Sequence, residues 1–355
     1  MMTRDDPHRR LEAFELQAGW CRELDSNLYA DLLEAAAENL KAGGVVAAIV
    51  HDFTGDAVSG ALALRLMGGV HRLVLMGLAP ELAVHYPSVG GTPDASTLVD
   101  TFVATLNQHP WYLKDSLNIA PQTNDIGRSA GLLAGIFSAL DGEHAVRLLG
   151  LGSAGGLNLN LDRYRYESDS WSWGEASSPA VIRLDWSGPI PPIPRRFEIA
   201  SRRGCDISPI DLMDPEQDLR LLSFIWPDQE ERFRRTAAAV EIARQDPPVV
   251  DRSDVVDWLL AELAEPVPRK TLTVIQHSIM WQYLHDDTKH TLAGLIEDAG
   301  ERATKQRPLA HVSFEPPPTG YEGKGMAVTV RRWPGGEIRR LGRGHAHGLW
   351  FEWSG

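Results

Sequence analysis

Leu148–Tyr164 reads LLGLGSAGGLNLNLDRY, and the fold class turns on this stretch. A short aliphatic run enters a knot of Gly, Ser and Ala, and a Leu/Asn segment leaves it. With Val146 and Arg147 in front, VRLLGLG reads as a short buried strand ending at glycine, and GGLNLNLDRY as the helix that follows. In a doubly wound sheet the ligand lies at the carboxyl ends of the strands, beside such a first strand-to-helix turn. Small residues there let a ligand approach the backbone, and the start of the helix offers unpaired N–H groups. Gly150, Gly152, Ala154 and Gly156 fall at every second position, close to a G-x-G-x-G turn. A tight turn without a ligand is the alternative reading of the same residues.

Outward from the knot the two directions differ. Upstream, Leu11, Phe14, Ala18 and Cys21, then Leu28, Leu32, Leu33, Ala36 and Leu40, recur at helical spacing, and residues 94–108 and 126–140 are also helical in pattern. The expectation is a helical N-terminal domain, 1–145. Downstream, RGCDISPIDL, PPVVDRSDVVDWLLAEL, TLTVIQHSIMWQYL and LAHVSFEP alternate strands with helices. That predicts an α/β domain over 146–355, a Rossmann-like, mostly parallel sheet with one antiparallel strand from the closing hairpin MAVTVRRWPGGEIRRLG. An aromatic hairpin and a proline-rich connector, about 164–200, interrupt it.

The composition narrows the partners. The chain has 355 residues and a net charge of -13. A protein that tracks phosphates along a polymer needs a Lys/Arg surplus, so nucleic acid is not expected, and a small-molecule substrate is. The longest aliphatic run, VVAAIV, is far too short to span a bilayer, and MMTRDDPHRRLEAFELQ has no apolar signal core. No membrane partner is expected, and the location expected is cytoplasmic. Cys21 and Cys205 match no metal or redox spacing and read as plain buried thiols. The helical domain can act as a lid or as a homodimer interface.

Three chemistries compete for the knot. In a nucleophile elbow, G-x-S-x-G, Ser153 has Gly155 two places on but Leu151 two places back, with His345 and His347 downstream. A dinucleotide site needs an acid after the second strand, and Asp162 and Glu167 do not follow one. Asp206 does end a strand, in RGCDISPIDL, where a carboxylate can accept from two ribose hydroxyls. Its plain reading is a cap or turn residue.

The order of these elements resembles class I S-adenosylmethionine-dependent methyltransferases. GLGSAGG resembles that family's glycine turn, CDISP its acidic strand end, DRSDVVDWL its third motif and VIQHSIMWQYL its fourth. The resemblance implies S-adenosylmethionine as cofactor, held by Gly150, Gly152, Ser153, Gly156, Asn158, Asp206, Ile207, Ser208, Asp254, Val255 and Gln276. It implies His277 as catalytic base. The family often has an acid where Gly150 stands, so one contact near the methionine end is missing or supplied elsewhere. Gln122, Asn124, Asp125 and Arg128 of QTNDIGR, with Tyr164, are the candidates for binding the methyl acceptor. Their plain readings are helix capping for Asn124 or Asp125 and hairpin packing for the tyrosine. His345-x-His347 without acidic neighbours makes a poor metal site, and no metal is expected. The full chain also resembles an uncharacterised bacterial family, a domain of unknown function, through QTNDIGR, GSAGGLNLNLDRYRY, RRGCDISPIDL and WPDQEERFRRTAAAVEIA. Besides the transferase, a serine hydrolase using Ser153 and a non-catalytic metabolite-binding protein stay open.

Overall fold

A computed structural model describes residues 7–142, 144–317 and 325–355. Residues 1–6, at the head of the segment read above for a signal, lie outside the described residues. The chain opens with α1 (Pro7–Glu23), α2 (Asn27–Lys41), α3 (Val45–Val50), α4 (Leu62–Leu75), α5 (Pro80–Ala83), α6 (Leu98–Gln108), α7 (Pro110–Ser116) and α8 (Ser129–Ala139). The strand-bearing part follows as β1 (Ala145–Leu151), β2 (Arg165–Glu167), β3 (Ser172–Trp173), β4 (Val181–Arg183), β5 (Asp185–Ser187) and β6 (Ile199–Asp206). Next come α9 (Pro215–Ser223), α10 (Glu230–Gln245), β7 (Val249–Arg252), α11 (Val255–Ala264), β8 (Thr271–Ser278) and α12 (Asp286–Glu301). The chain ends on β9 (Leu309–Glu315), β10 (Met326–Trp333), β11 (Ile338–Gly344) and β12 (Trp350–Trp353).

Two compact units emerge. The first holds the described residues up to Thr123 together with Met213–Arg234, and the second holds Asn124–Leu212 and Arg235–Gly355. Its boundary therefore falls earlier than residue 145. The reason is α8, in which every residue except Ser138 is buried. A helix apolar all round needs a buried site on both sides, and α8 packs on β9 and β10. Gly131 and Gly135 allow the approach: a Cβ there would lie 2.7 Å from Phe351 and 2.6 Å from Val312.

In the first unit, α2 turns Leu28, Leu32, Leu33 and Ala36 into a core shared with Phe14, Leu66, Val70 and Phe102. Each of the larger of these side chains, Leu, Val or Phe, contributes about 1.5–3 kcal/mol by leaving water. The segment 213–234 belongs here because it supplies a cap. Asp228 accepts from Ser26 Oγ at 2.6 Å and from the Leu28 N–H at 3.0 Å, at the N-terminus of α2. His71 is fully buried, with Nε2 2.8 Å from Ser88 Oγ and Nδ1 3.2 Å from the Ser223 carbonyl. Burial pushes its pKa down to about 4 from the usual 6.5. The folded form thus keeps His71 neutral where the unfolded chain would protonate it. Stability is unaffected above the unfolded value and declines as pH falls from 6.5 towards 4, by about 1.4 kcal/mol per pH unit. Urea unfolding at several pH values should show this slope in the wild type and a shallower one in His71→Asn. Equal slopes would exclude the assignment.

The second unit is built on a nine-stranded sheet of order β5-β12-β11-β10-β9-β8-β1-β6-β7. β7, β6, β1, β8 and β9 pair in parallel, as the strand and helix alternation predicts. The far end differs from the expectation of one antiparallel strand. β10 is antiparallel to β9 and β11, β12 is antiparallel to β11, and β5 pairs in parallel with β12. β10 and β12, with β5, therefore oppose the main direction. The cause is loop length: about ten residues separate β9 from β10 and about five separate β11 from β12, too few for the crossover that parallel neighbours need. The aromatic hairpin forms as β2 and β3, joined by β4 in a small separate sheet. Within the described residues, no helix is long and apolar enough to cross a membrane.

Candidate functional site

The strands leave β1 in opposite directions: β6 and β7 lie on one side, β8 and β9 on the other. A crevice forms where a parallel sheet reverses its order in this way, at the carboxyl ends of the two central strands. Here those ends carry the glycine knot on β1 and Gln276, His277 and Ser278 on β8, with Gly150 opposite both Gly204 and Gln276.

The knot is tightly filled. Gly152 and Gly156 have φ of +62° and +75°, and Ala154 has +50°. A Cβ on Gly150 would come within 2.5 Å of Ser153 Oγ, and one on Gly204 within 2.4 Å. These glycines make room for the serine, whose hydroxyl is folded back over β1 and β6. No hydrogen bond joins Ser153 Oγ to a histidine among the described residues, and His345 and His347 contact other groups. A nucleophile elbow instead exposes its serine above the sheet.

The helix expected from GGLNLNLDRY is replaced by two 3-10 turns, Leu157–Leu159 and Leu161–Arg163. Asn158 therefore sits in a 3-10 turn, not a first α-turn. The carbonyls an α-helix would use are claimed by side chains. Tyr164 Oη donates to the Leu157 carbonyl at 2.6 Å, Arg202 Nη1 to that of Leu159 at 3.0 Å, and Tyr166 Oη to that of Leu161 at 2.7 Å. Tyr164 is thus fully buried and acts as a strut under the turn.

The cofactor candidates divide into braces and open valences. Asp206, at the end of β6, accepts from the Ala154 N–H at 2.9 Å and the Ser208 N–H at 2.8 Å, so it clamps the knot to the CDISP turn. Ile207 is exposed and Val255 buried. Asp254 caps α11 through the Val256 N–H at 2.8 Å, the plain capping role. Gln276 Nε2 donates to the Asn158 carbonyl at 2.9 Å, and Asn158 Nδ2 to that of Asp125 at 3.4 Å. The remaining oxygens, Gln276 Oε1 and Asn158 Oδ1, are buried without a donor among the described residues. Burial pushes the Cys205 thiol up to about 12, and likewise Cys21, so both are inert, as buried thiols should be.

QTNDIGR is divided between the units. Gln122 belongs to the first, where its Oε1 accepts from Arg220 Nη2 at 2.8 Å. In the second, Asn124 Oδ1 accepts from the Leu157 N–H at 2.9 Å and so braces the turn. Asp125 is buried; it accepts from the Gly127 N–H at 3.0 Å, Arg235 Nη2 at 3.1 Å and His347 Nδ1 at 3.0 Å. Arg235 also donates to the His347 carbonyl. Arg128 donates its Nε to the Ala346 carbonyl at 3.0 Å. Burial pulls its pKa below the usual guanidinium value, against the opposing pull of Asp125, Tyr283 and Glu315.

His277 is buried and has both ring nitrogens engaged. Nδ1 meets Glu315 Oε1 at 2.7 Å, Nε2 meets His311 Nε2 at 2.8 Å, and the ring stacks on Trp281 at 5.0 Å between centroids. Oε1 already accepts from two backbone N–H groups, so Nδ1 meets it as a donor, and of the two facing Nε2 atoms one donates. His311 is neutral, because burial, with His277 and Arg331 adding to it, pushes its pKa down to about 3. Glu315 Oε1 also accepts from the Met280 and Trp281 N–H groups at 3.0 and 3.2 Å, while Oε2 is buried without a partner among the described residues. Glu315, His311 and Arg235 were not singled out from sequence. A signal existed for two of them: His311, Ser313 and Glu315 put polar groups at every second position of a strand whose other face is Ala310, Val312 and Phe314. No cluster of three or more His, Cys, Asp or Glu suited to a metal occurs among the described residues.

The fold is mixed α/β, with a large, mostly parallel central sheet whose strand order reverses beside the glycine knot. The family described as "Uncharacterized protein conserved in bacteria (DUF2332)" matches residues 11–353. The chain belongs to that family. Comparison with curated proteins gave no match, and comparison with solved structures gave none.

Proposed function

We propose that the second unit binds S-adenosylmethionine at the carboxyl ends of β1, β6 and β8 and transfers its methyl group to a small acceptor. The observation that carries this reading is the reversal of strand order between β1 and β8, directly at the knot. The residues present fit the cofactor at two points. Each Asp206 oxygen accepts a single backbone N–H, and a carboxylate has about four acceptor positions, so two ribose hydroxyls can be met. The donor-free oxygens of Asn158 and Gln276 suit an ammonium group and supply what Gly150, in place of an acid, does not. The bound cofactor supplies an activated methyl on a sulfonium. The chain's own part is to align the acceptor in line and to exclude water. His277 reaches no acceptor through a free nitrogen, so its role is to hold Glu315, whose second oxygen is open. The engaged state of His277 also favours a second reading, a metabolite-binding protein without turnover.

Calorimetric titration with S-adenosylmethionine and S-adenosylhomocysteine tests the first step. Micromolar binding, about 8 kcal/mol, is expected, weakened about tenfold or more in Gln276→Leu and in Asp206→Asn. No heat from either ligand with folded protein would sink the reading.

A further inference from the structure

A second opening lies at the other end of the sheet from the knot. Leu140 precedes β1, Arg195 and Arg196 precede β6, Arg339 stands at the start of β11, and Trp353 ends β12. β11 runs with β9 and β12 runs against it, so all of these lie at the amino ends of the parallel strands. Together they line a cavity of about 530 Å³, a size typical of small-molecule sites. One wall is the proline-rich connector, which leaves β5 at the sheet edge and reaches β6 past six intervening strands. Proline holds such a segment extended. The apolar lining is anchored. Phe137 is held edge-on by Trp173 at 5.2 Å and Phe197 at 5.3 Å, and Trp353 packs on Trp186 at 5.2 Å. Trp186 Nε1 donates to the Pro189 carbonyl at 2.9 Å, which pins the connector beside them. Ile190 adds an apolar surface that is 54% exposed. The charge of the lining is one-sided. Arg195, Arg196 and Arg339 stand on it, and among the described residues no Asp or Glu does. The chain as a whole has 48 acidic against 35 basic side chains. Arg196 meets Glu198 at 3.0 Å with both side chains exposed, a pair worth little. Arg339 has one long contact, 3.4 Å to the Gly355 carbonyl, and Arg195 has no hydrogen bond or ion pair among the described residues.

We infer that this cavity binds an amphiphilic anion: an apolar chain or ring seated against Phe137, Ile190 and Trp353, with a carboxylate or phosphate head met by Arg195 and Arg339. Guanidinium forks match either head with paired, charge-assisted hydrogen bonds. The apolar body supplies affinity that grows with the area it buries. Inorganic anions lack the body and neutral alcohols lack the head. The inference goes beyond the proposed transfer reaction, because the cavity shares no residue with the knot and lies at the opposite ends of the strands.

The test is calorimetric titration of the full chain with butanoate, hexanoate, octanoate, octyl phosphate, 1-octanol and inorganic phosphate, all below micelle-forming concentrations. Octanoate and octyl phosphate should bind saturably, and the tighter of the two names the head. Each added methylene should tighten binding about two- to fourfold. 1-Octanol and inorganic phosphate, each carrying half of the ligand, should bind about tenfold more weakly or worse. Arg195→Gln and Arg339→Gln should each weaken octanoate about three- to tenfold and leave 1-octanol unchanged, while Arg339→Lys keeps part of the affinity. Ile190→Asn should weaken octanoate and 1-octanol alike. All three positions are exposed, so these variants keep the fold. No saturable heat from octanoate or octyl phosphate with folded protein overturns the inference, and so does 1-octanol that binds as tightly as octanoate. Octanoate binding that ignores all three variants also overturns it; loss in Gln276→Leu would then place the ligand at the knot. The S-adenosylmethionine titration is independent. A protein that ignores the cofactor yet binds octanoate through Arg195 and Arg339 keeps this site and loses the methyltransferase reading, and the converse result loses this site alone.

Discussion

Asp125→Ala is expected to cost the second unit about 3–5 kcal/mol, the penalty for leaving one partner of a buried ion pair uncompensated. Asp125 and Arg235 are both almost fully inaccessible. Arg235 Nε and Nη1 lack partners among the described residues, so the guanidinium depends on the contacts of Nη2. Removing the carboxylate also strips the acceptor from His347 Nδ1 and the Gly127 N–H. Urea unfolding at neutral pH measures the loss. The pair Asp125→Leu with Arg235→Met should recover most of it, because the two charges leave together. A loss near that of a surface ion pair, under about 1 kcal/mol, would show that the pair is not the anchor described here.

Gly348→Ala should be comparably damaging, for a steric reason. Gly348 has φ of +68°, and a Cβ on it would lie 2.1 Å from the Gly127 carbonyl oxygen and 2.6 Å from the Gly127 Cα. Backbone cannot swing aside as a side chain tip can. The left-handed conformation costs an alanine about 1–2 kcal/mol, and forced overpacking about 1–3 kcal/mol more. Gly142 is the control: its φ is +69°, with nothing within 4 Å of the added atom. Gly142→Ala should show the conformational cost alone. If the two variants unfold at the same urea concentration, the crossing of 127 and 348 is looser than described.

Both positions hold QTNDIGR against the HAHG segment, and they show which layer of the fold was legible in the sequence. Local patterns read well. The strand into the knot, the strand ending at Asp206, the β7–α11 unit capped by Asp254 and the closing hairpin all follow from period, caps and turns within about twenty residues. Long-range claims on the backbone did not show. GLNLNLDRY has helical spacing, yet Arg202, Tyr164 and Tyr166 take its carbonyls, and nothing local announces an arginine some forty residues away. Arg235 lay inside a convincing helix pattern as one more charged residue. Its burial depends on Asp125, 110 positions earlier. His277 was found by its place at a strand end, but the partners that occupy both its nitrogens sit on the next strand, and only the alternation in LAHVSFEP hinted at them. Loop length accounts for the antiparallel run from β9 to β12, whereas β5 joins β12 from about 165 residues earlier and no short loop announces it.

The pairing of β5 with β12 sets a schedule for synthesis. Residues 185–187 are made about 165 residues before the strand they pair with. At about 5–20 residues per second, that segment spends on the order of ten seconds or more on the ribosome without its partner. β1 waits in the same way for β8, its neighbour on the far side of the switch point. β1 therefore keeps an open edge beside the knot until β8 is made, and the chain carries exposed strand edges until β12 arrives. Proline-rich GPIPPIPRR directly follows β5. Prolines beside an unpaired edge discourage premature pairing, so the connector that reads as a mere spacer in the finished molecule also guards the nascent one.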